Sequence, residues 1–401
     1  MHYFTFVRRN IRPLAFGALH AFYSTPGQTF CIGLFIAAIS ADLGITASGI
    51  GALYLAGTLS AAITLLFVGH LIDRIRLIHF SAAVIVGLAV ACFVTAAVAG
   101  PLSLFLAFYL LRLTGQSLMV HVEATATART FDRERGRALG ITALGIPLAE
   151  VIFPPSVVAG IALIGWRPTY AVIGGVALIV LLPLTQWLLY GIRRSPRVTT
   201  IGTSAWGQLR TGLLTLARSR YVWAVLPAAG ILPFCGTAIM FHVTTIAGVR
   251  GWPATLIAAS FPVSAICNVV GLFVSGQIID RLSARKMFLV QALPFLVGTS
   301  VLAAFDQQWA LPVTFAGFGL SMGLSKTTLT AVWAELFGTS VLGTIRSAVN
   351  MYMVVVSALA PFVFGAMLDA GWSVSGILAA FVAVSVVLIV PPVFAERKGL
   401  A

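Results

Sequence analysis

The chain alternates long apolar runs with short polar turns, and the runs set its architecture. Twelve of them are long enough to cross a bilayer, which takes about 20 apolar residues in a helix. In the first half they cover 13–40, 48–70, 79–99, 101–128, 138–162 and 168–191. In the second half they cover 221–247, 253–278, 287–305, 309–334, 346–368 and 373–394, with Pro391-Pro392 ending the last. The pattern predicts an all-α membrane protein, with twelve transmembrane helices in two pseudo-symmetric six-helix bundles. The N-terminal bundle takes residues 1–191, a basic cytoplasmic linker 192–220, and the C-terminal bundle 221–401.

The polar turns carry a repeat. Gly69-His70-Leu71-Ile72-Asp73-Arg74 follows the second run, and Gly276-Gln277-Ile278-Ile279-Asp280-Arg281 stands 207 positions later. Pro26 and Pro233, each inside the first run of its half, share that offset. One offset for a proline, a glycine and an Asp-Arg pair marks two copies of one unit. The residue types suit a tight turn that moves. Glycine lets helices approach closely, aspartate accepts hydrogen bonds from a helix start, and arginine grips a carboxylate with two bonds. Gly69, Asp73, Arg74, Gly276, Asp280 and Arg281 are therefore candidates for conformational gating. Glu335, at the cytoplasmic mouth of the tenth run, is a candidate gate or loop brace.

Composition excludes a soluble protein. Apolar residues make up 59% and charged residues 9%, against roughly 25% charged in a soluble domain. The net charge of +14 does not mark a nucleic-acid binder, because the basic residues cluster in short loops without interleaved aromatics. Of the 25 Lys and Arg, Arg112 and Lys326 lie inside runs and Arg167 and Arg250 lie on one side. All the others fall on the opposite side. The positive-inside rule then puts both termini in the cytoplasm. Cys31, Cys92, Cys235 and Cys267 all sit inside apolar runs and have no metal-site spacing. The chain has no Walker sequence, no HExxH pair and no Gly-x-Ser-x-Gly elbow, so neither an enzyme, a cofactor nor a metal site is expected. Any uphill work must draw on an ion or solute gradient.

Candidate chemistry lies where polar residues interrupt the runs. Tyr23-Ser24-Thr25-Pro26-Gly27-Gln28 breaks the first run, and such breaks are tolerated where they line a cavity or pack on protein. A matching break is expected at Pro233. Arg112 lies roughly 16 Å into the fourth run at 1.5 Å per residue, where a guanidinium costs at least ~2.5 kcal/mol unless it meets water or a partner. Glu150 has a similar depth on the fifth run and is expected to neutralise it. Glu123 lies nearer the cytoplasm, within reach of a loop arginine. That leaves Lys326 as a buried cation that an anion would satisfy. The expected ligand is a small organic anion, above all a carboxylate, held by Lys326 and Arg112. Tyr23, Gln28 and Asn350 would add hydrogen bonds, and Glu150 and Glu123 are the candidate protonation sites.

The repeated turn resembles the signature Gly-x-x-x-Asp-Arg-x-Gly-Arg-Arg (or Lys) of the major facilitator superfamily. In that family it joins helices 2 and 3, with a weaker copy between helices 8 and 9. The first copy departs at Arg76, Leu77 and Ile78, whereas the second keeps Arg285 and Lys286 but has Ser283 for the second glycine. Arg112, Gly115 and Arg135-Gly136-Arg137 resemble the family's helix 4 signature, whose arginine is associated with proton coupling. Gly140 to Glu150 is only partly similar to the glycine-rich helix 5 signature of antiporters, which weakens an efflux reading. The resemblance implies a bacterial-type twelve-helix secondary transporter of the inner membrane. Alternating access would expose a cavity lined by helices 1, 4, 7 and 10. The expected function is proton-coupled symport of an organic anion by a monomer in the lipid bilayer. Proton-coupled multidrug efflux and a non-transporting receptor or scaffold are the alternatives.

Overall fold

The computed structural model describes residues 2–131, 133–190, 220–337 and 342–397, with four isolated positions between 207 and 217. Every regular element among them is helical. Six long apolar helices fill the first half: α1 (Ile11–Leu43), α2 (Ala47–Arg74), α3 (Leu77–Ala96), α4 (Pro101–Thr130), α5 (Arg135–Ile164) and α6 (Trp166–Leu189). In the second half α7 is a bent pair, Val225–Phe241 and Val243–Val249, turned by 58°. It is followed by α8 (Ala254–Arg281), α9 (Ala284–Ala304), α10 (Ala310–Phe337), α11 (Gly343–Asp369) and α12 (Val374–Phe394). Among the described residues ten of these helices, or eleven with the bent α7 as one span, are long and apolar enough to cross a membrane, and their order is consistent with the twelve apolar runs. A short helix, His2–Arg9, precedes α1 and rests Phe6 on Phe131, ring centroids 5.6 Å apart.

The chain forms two compact units. One comprises Met1–Ile45 and Leu53–Ile201, the other Thr46–Ala52 and Gly202–Ala401. The linker 192–220 lies almost wholly outside the described residues. The first turn of α2 thus counts with the second unit, and the packing there shows why. Ala47 and Ser48 donate their backbone N–H groups to the Asp369 carboxylate at 3.3 and 2.8 Å. An anion at a helix start satisfies orphan donors and meets the positive end of the dipole. Gly51 lies against the backbone of Pro361 and Phe362, closer than any side chain would allow.

Proline sets the breaks. Pro26 has no N–H for the Phe22 carbonyl, so Thr25 Oγ1 donates to that carbonyl instead, at 2.5 Å. The chain then makes one 3₁₀ turn, Thr25–Gly27, and passes through extended Gln28 before α1 resumes at Thr29. In α7 the expected break at Pro233 is displaced. The ladder is interrupted at Gly230, before the proline, and the sharp bend comes later at His242. His242 there touches the Pro361 carbonyl at 2.9 Å. Pro391-Pro392 does not end the last helix, which continues to Arg397.

The two arginines set apart in the sequence each clamp helix ends within their own unit. Arg167 donates to the carbonyls of Ala96 and Val98 past the end of α3, pairs with Asp42 at 2.7 Å and lies over Trp166. Arg250 donates to the carbonyls of Leu302 and Phe305 at the end of α9, pairs with Asp306 at 3.3 Å and lies over Trp252. A cation at a helix C-terminus satisfies orphan carbonyls and opposes the dipole.

Candidate functional site

In the first unit α1 breaks against a π-wound stretch of α4. Residues Arg112–Met119 of α4 are wound as a π-helix, a form that is rare and concentrates at functional sites. The two chains meet backbone to backbone. A methyl group on Gly115 would stand 2.7 Å from the N and Cα of Gly27, and one on Gly27 would strike the Leu111 carbonyl. Two glycines are what allow the approach.

Arg112 starts the π segment and is 5% exposed. Its Nη1 donates to the Gly27 carbonyl at 3.1 Å and to Thr29 Oγ1 at 3.3 Å. Its guanidinium lies over the Tyr54 ring, 5.1 Å from the centroid, and the Tyr54 and Thr29 hydroxyls are 2.6 Å apart. These contacts stabilise a cation, through dipoles and the ring quadrupole, but none carries a negative charge. No carboxylate lies within 4.0 Å of Arg112 among the described residues. The expected pairing with Glu150 is therefore corrected. Equal depth on adjacent helices did not bring the two side chains together. The Arg112 Nε–H and the Gln116 carbonyl oxygen, one turn apart, are buried without a hydrogen-bond partner among the described residues. One group is a donor and the other an acceptor.

The other expected ligands fall out differently. Tyr23 is buried and donates its hydroxyl to the Ile173 carbonyl at 2.7 Å. Gln28 donates its amide to Ser24 Oγ at 3.2 Å. Both side chains thus brace the broken helix. Glu150 is half-buried on α5. Lys326 is exposed, which corrects its reading as the buried cation. Ser321, Leu324, Ser325 and Thr328 form the buried face of α10, and residues 326 and 327 point away from it. Asn350 is exposed on α11. The second unit also holds a cavity of about 410 Å³ between α7, α11 and α12. Its lining is almost wholly apolar, and few polar groups converge there.

The gating candidates separate into two unlike turns. In the first copy, Arg129 at the end of α4 pairs with Asp73 and donates to the Ile72 carbonyl at 3.2 Å. His121 contacts the Gly69 carbonyl at 3.0 Å. In the second copy the acid comes from the other side. Glu335 on α10 accepts from the Ala284 N–H at 3.1 Å, at the start of α9, and lies 3.8 Å from Arg285. Asp280 and Arg281 are exposed. A methyl group on Gly276 would meet nothing within 4 Å, whereas one on Gly69 would come 2.8 Å from the Leu65 carbonyl one turn back.

The family profile described as Major Facilitator Superfamily matches residues 20–361. No curated protein matches the sequence. Solved structures share its fold at low identity. The nucleoside transporter NupG superposes with a TM-score of 0.75 at 13% identity, covering 97% of this chain and 99% of that one. A single-site variant of NupG gives 0.77 at 12% identity, with 95% and 98% covered. A bacterial homologue of the human lysosomal transporter Spinster, inward-facing and occupied, gives 0.70 at 14% identity, with 99% and 97% covered.

Proposed function

The chain belongs to the major facilitator superfamily, and from that premise we propose that this transporter carries a small organic anion, a carboxylate first of all, by alternating access coupled to protons. One observation carries the reading: Arg112, midway along an apolar helix, is nearly fully buried with no carboxylate within 4.0 Å among the described residues. A charge at that depth costs at least ~2.5 kcal/mol unless compensated. Gly27, Thr29 and Tyr54 supply dipoles and a ring face, so full neutralisation awaits an anion. The unpartnered Nε–H of Arg112 is a donor for a carboxylate oxygen, and the Gln116 carbonyl is an acceptor for a hydroxyl or amide on the same solute. Proton coupling would keep the total charge moved small. Glu150 and Glu123 are the acidic candidates for it, on α5 and α4. Lys326 and Asn350, being exposed, would act only on a solute already in the aqueous path.

A thermal-stability screen of purified protein tests the reading. The panel should hold short mono- and dicarboxylates, nucleosides, sugars, amino acids and lipophilic drugs. A ligand at 100 times its dissociation constant stabilises the folded state by about 2.7 kcal/mol. We expect stabilisation by one or more carboxylates, abolished by Arg112→Gln and retained by Lys326→Gln. Stabilisation only by nucleosides or drugs would refute the anion reading. Stabilisation without uptake into proteoliposomes would favour a receptor.

A further inference from the structure

Four residues beyond Met119, the last of the π segment, and so about one helical turn further along α4, lies a second buried ionisable group. Glu123 is 6% exposed. It stands roughly 16 Å along the helix from Arg112. Its Oε1 accepts a hydrogen bond from the Thr142 hydroxyl of α5. Thr142 also packs on Gly17 of α1, where a methyl group would come 2.7 Å from Thr142 Cγ2 and 2.8 Å from Thr127 Oγ1. Three helices thus close around one carboxyl group, and glycine on α1 makes the closure possible. No Lys, Arg or His nitrogen lies within 4.0 Å of that carboxyl group among the described residues.

The basic and titratable groups on the packed elements are engaged elsewhere. On α1, His20 contacts the Phe16 carbonyl and Ser81, and Arg12 lies over Trp187. On α4, His121 contacts the Gly69 carbonyl and Arg129 pairs with Asp73. On α5, Arg135 donates to the Ala128 carbonyl and Arg137 pairs with Glu134. An ionised Glu123 would have a single hydroxyl to offset a full buried charge. A neutral carboxylic acid has no charge to offset.

We infer that Glu123 takes up the coupling proton, and that Thr142 holds the neutral acid in the closed junction of α1, α4 and α5. The inference rests on the proton-coupled reading above and adds the residue that carries the proton. Glu123 and Arg112 share α4, and the π segment runs from Arg112 toward Glu123. A change in that segment's winding turns one site relative to the other, so anion and proton can report to each other along one helix. Release of the proton requires the junction to open and admit water.

Infrared spectroscopy of the full-length protein in lipid vesicles tests proton occupancy without a substrate. The wild type should show a carboxylic-acid C=O band at neutral pH. Glu123→Gln should remove it, and Thr142→Val should shift it. The same band in Glu123→Gln overturns the inference. Transport tests the coupling, with radiolabelled short mono- and dicarboxylates as the probe panel. Glu123→Gln should retain solute exchange across the membrane but lose accumulation driven by a pH gradient, by tenfold or more. Unchanged pH-driven accumulation in that variant overturns the inference while leaving the anion reading intact. If the wild type accumulates none of the panel, the anion reading fails and the infrared band alone decides whether Glu123 holds a proton.

Discussion

Gly115 and Gly27 decide whether Arg112 can sit where it does. A side chain on Gly115 meets the backbone of Gly27, which cannot rotate away. Gly115→Ala should therefore separate α1 from α4 and cost about 1–3 kcal/mol by overpacking, together with most ligand binding. Gly140→Ala is the control, since nothing lies within 4 Å of a methyl group there and alanine is the better helix former by about 1 kcal/mol. Thermal unfolding of both variants in detergent checks the contrast, and equal stability would refute it. At this scale the sequence was only partly readable. Arg112 stood out because a charge inside an apolar run has few explanations. Its partners did not, because depth along a helix says nothing about which way a side chain points, and the π winding changes that direction. Lys326 misled for the same reason. The buried positions Ser321, Leu324, Ser325 and Thr328 follow helical spacing, and Lys326, the residue after Ser325, falls outside that stripe.

Helix ends were easier to read than helix partners. The runs at 48–70, 79–99 and 253–278 became Ala47–Arg74, Leu77–Ala96 and Ala254–Arg281, because apolar length and a polar turn fix a span with little help from packing. Proline was a weaker guide. Pro26 breaks α1 as expected, but Pro391-Pro392 is absorbed into α12, and α7 bends at His242 rather than at Pro233. A missing N–H costs little where the carbonyl left behind finds another donor or solvent. The clamps made by Arg167 and Arg250 were legible only as exceptions to the charge pattern. Their carbonyl partners, Ala96 and Leu302 among them, are remote in sequence. Removing either arginine strands carbonyls at a helix end. Arg167→Ala and Arg250→Ala should each destabilise by about 1–3 kcal/mol. Arg250→Ala should be the costlier, because that side chain is 4% exposed against 36% for Arg167. A lower unfolding temperature for Arg167→Ala than for Arg250→Ala would contradict this ranking.

For the whole molecule, the two-fold repeat and the charge pattern carry the argument. Two copies of one turn pattern stand 207 positions apart, and the turns themselves are braced by different acids. The charge pattern predicts sides. Within the first unit Arg76 and Arg135 stand at helix ends opposite that of Arg167, and within the second Arg285 stands at a helix end opposite that of Arg250. Positive charge is retained in the cytoplasm during insertion, so the α2–α3 turn should be inside and the α9–α10 loop outside. Single cysteines at Arg76 and Gln307, both exposed, distinguish the two arrangements. Native Cys31, Cys92 and Cys235 are buried and Cys267 is half-buried, so Cys267→Ser removes the most accessible background. In intact cells a membrane-impermeant maleimide should label Gln307→Cys and leave Arg76→Cys unmodified until the membrane is permeabilised. The reverse pattern would invert the topology and put both termini outside. Labelling of both sites in intact cells would mean that the loop charges do not fix a single orientation.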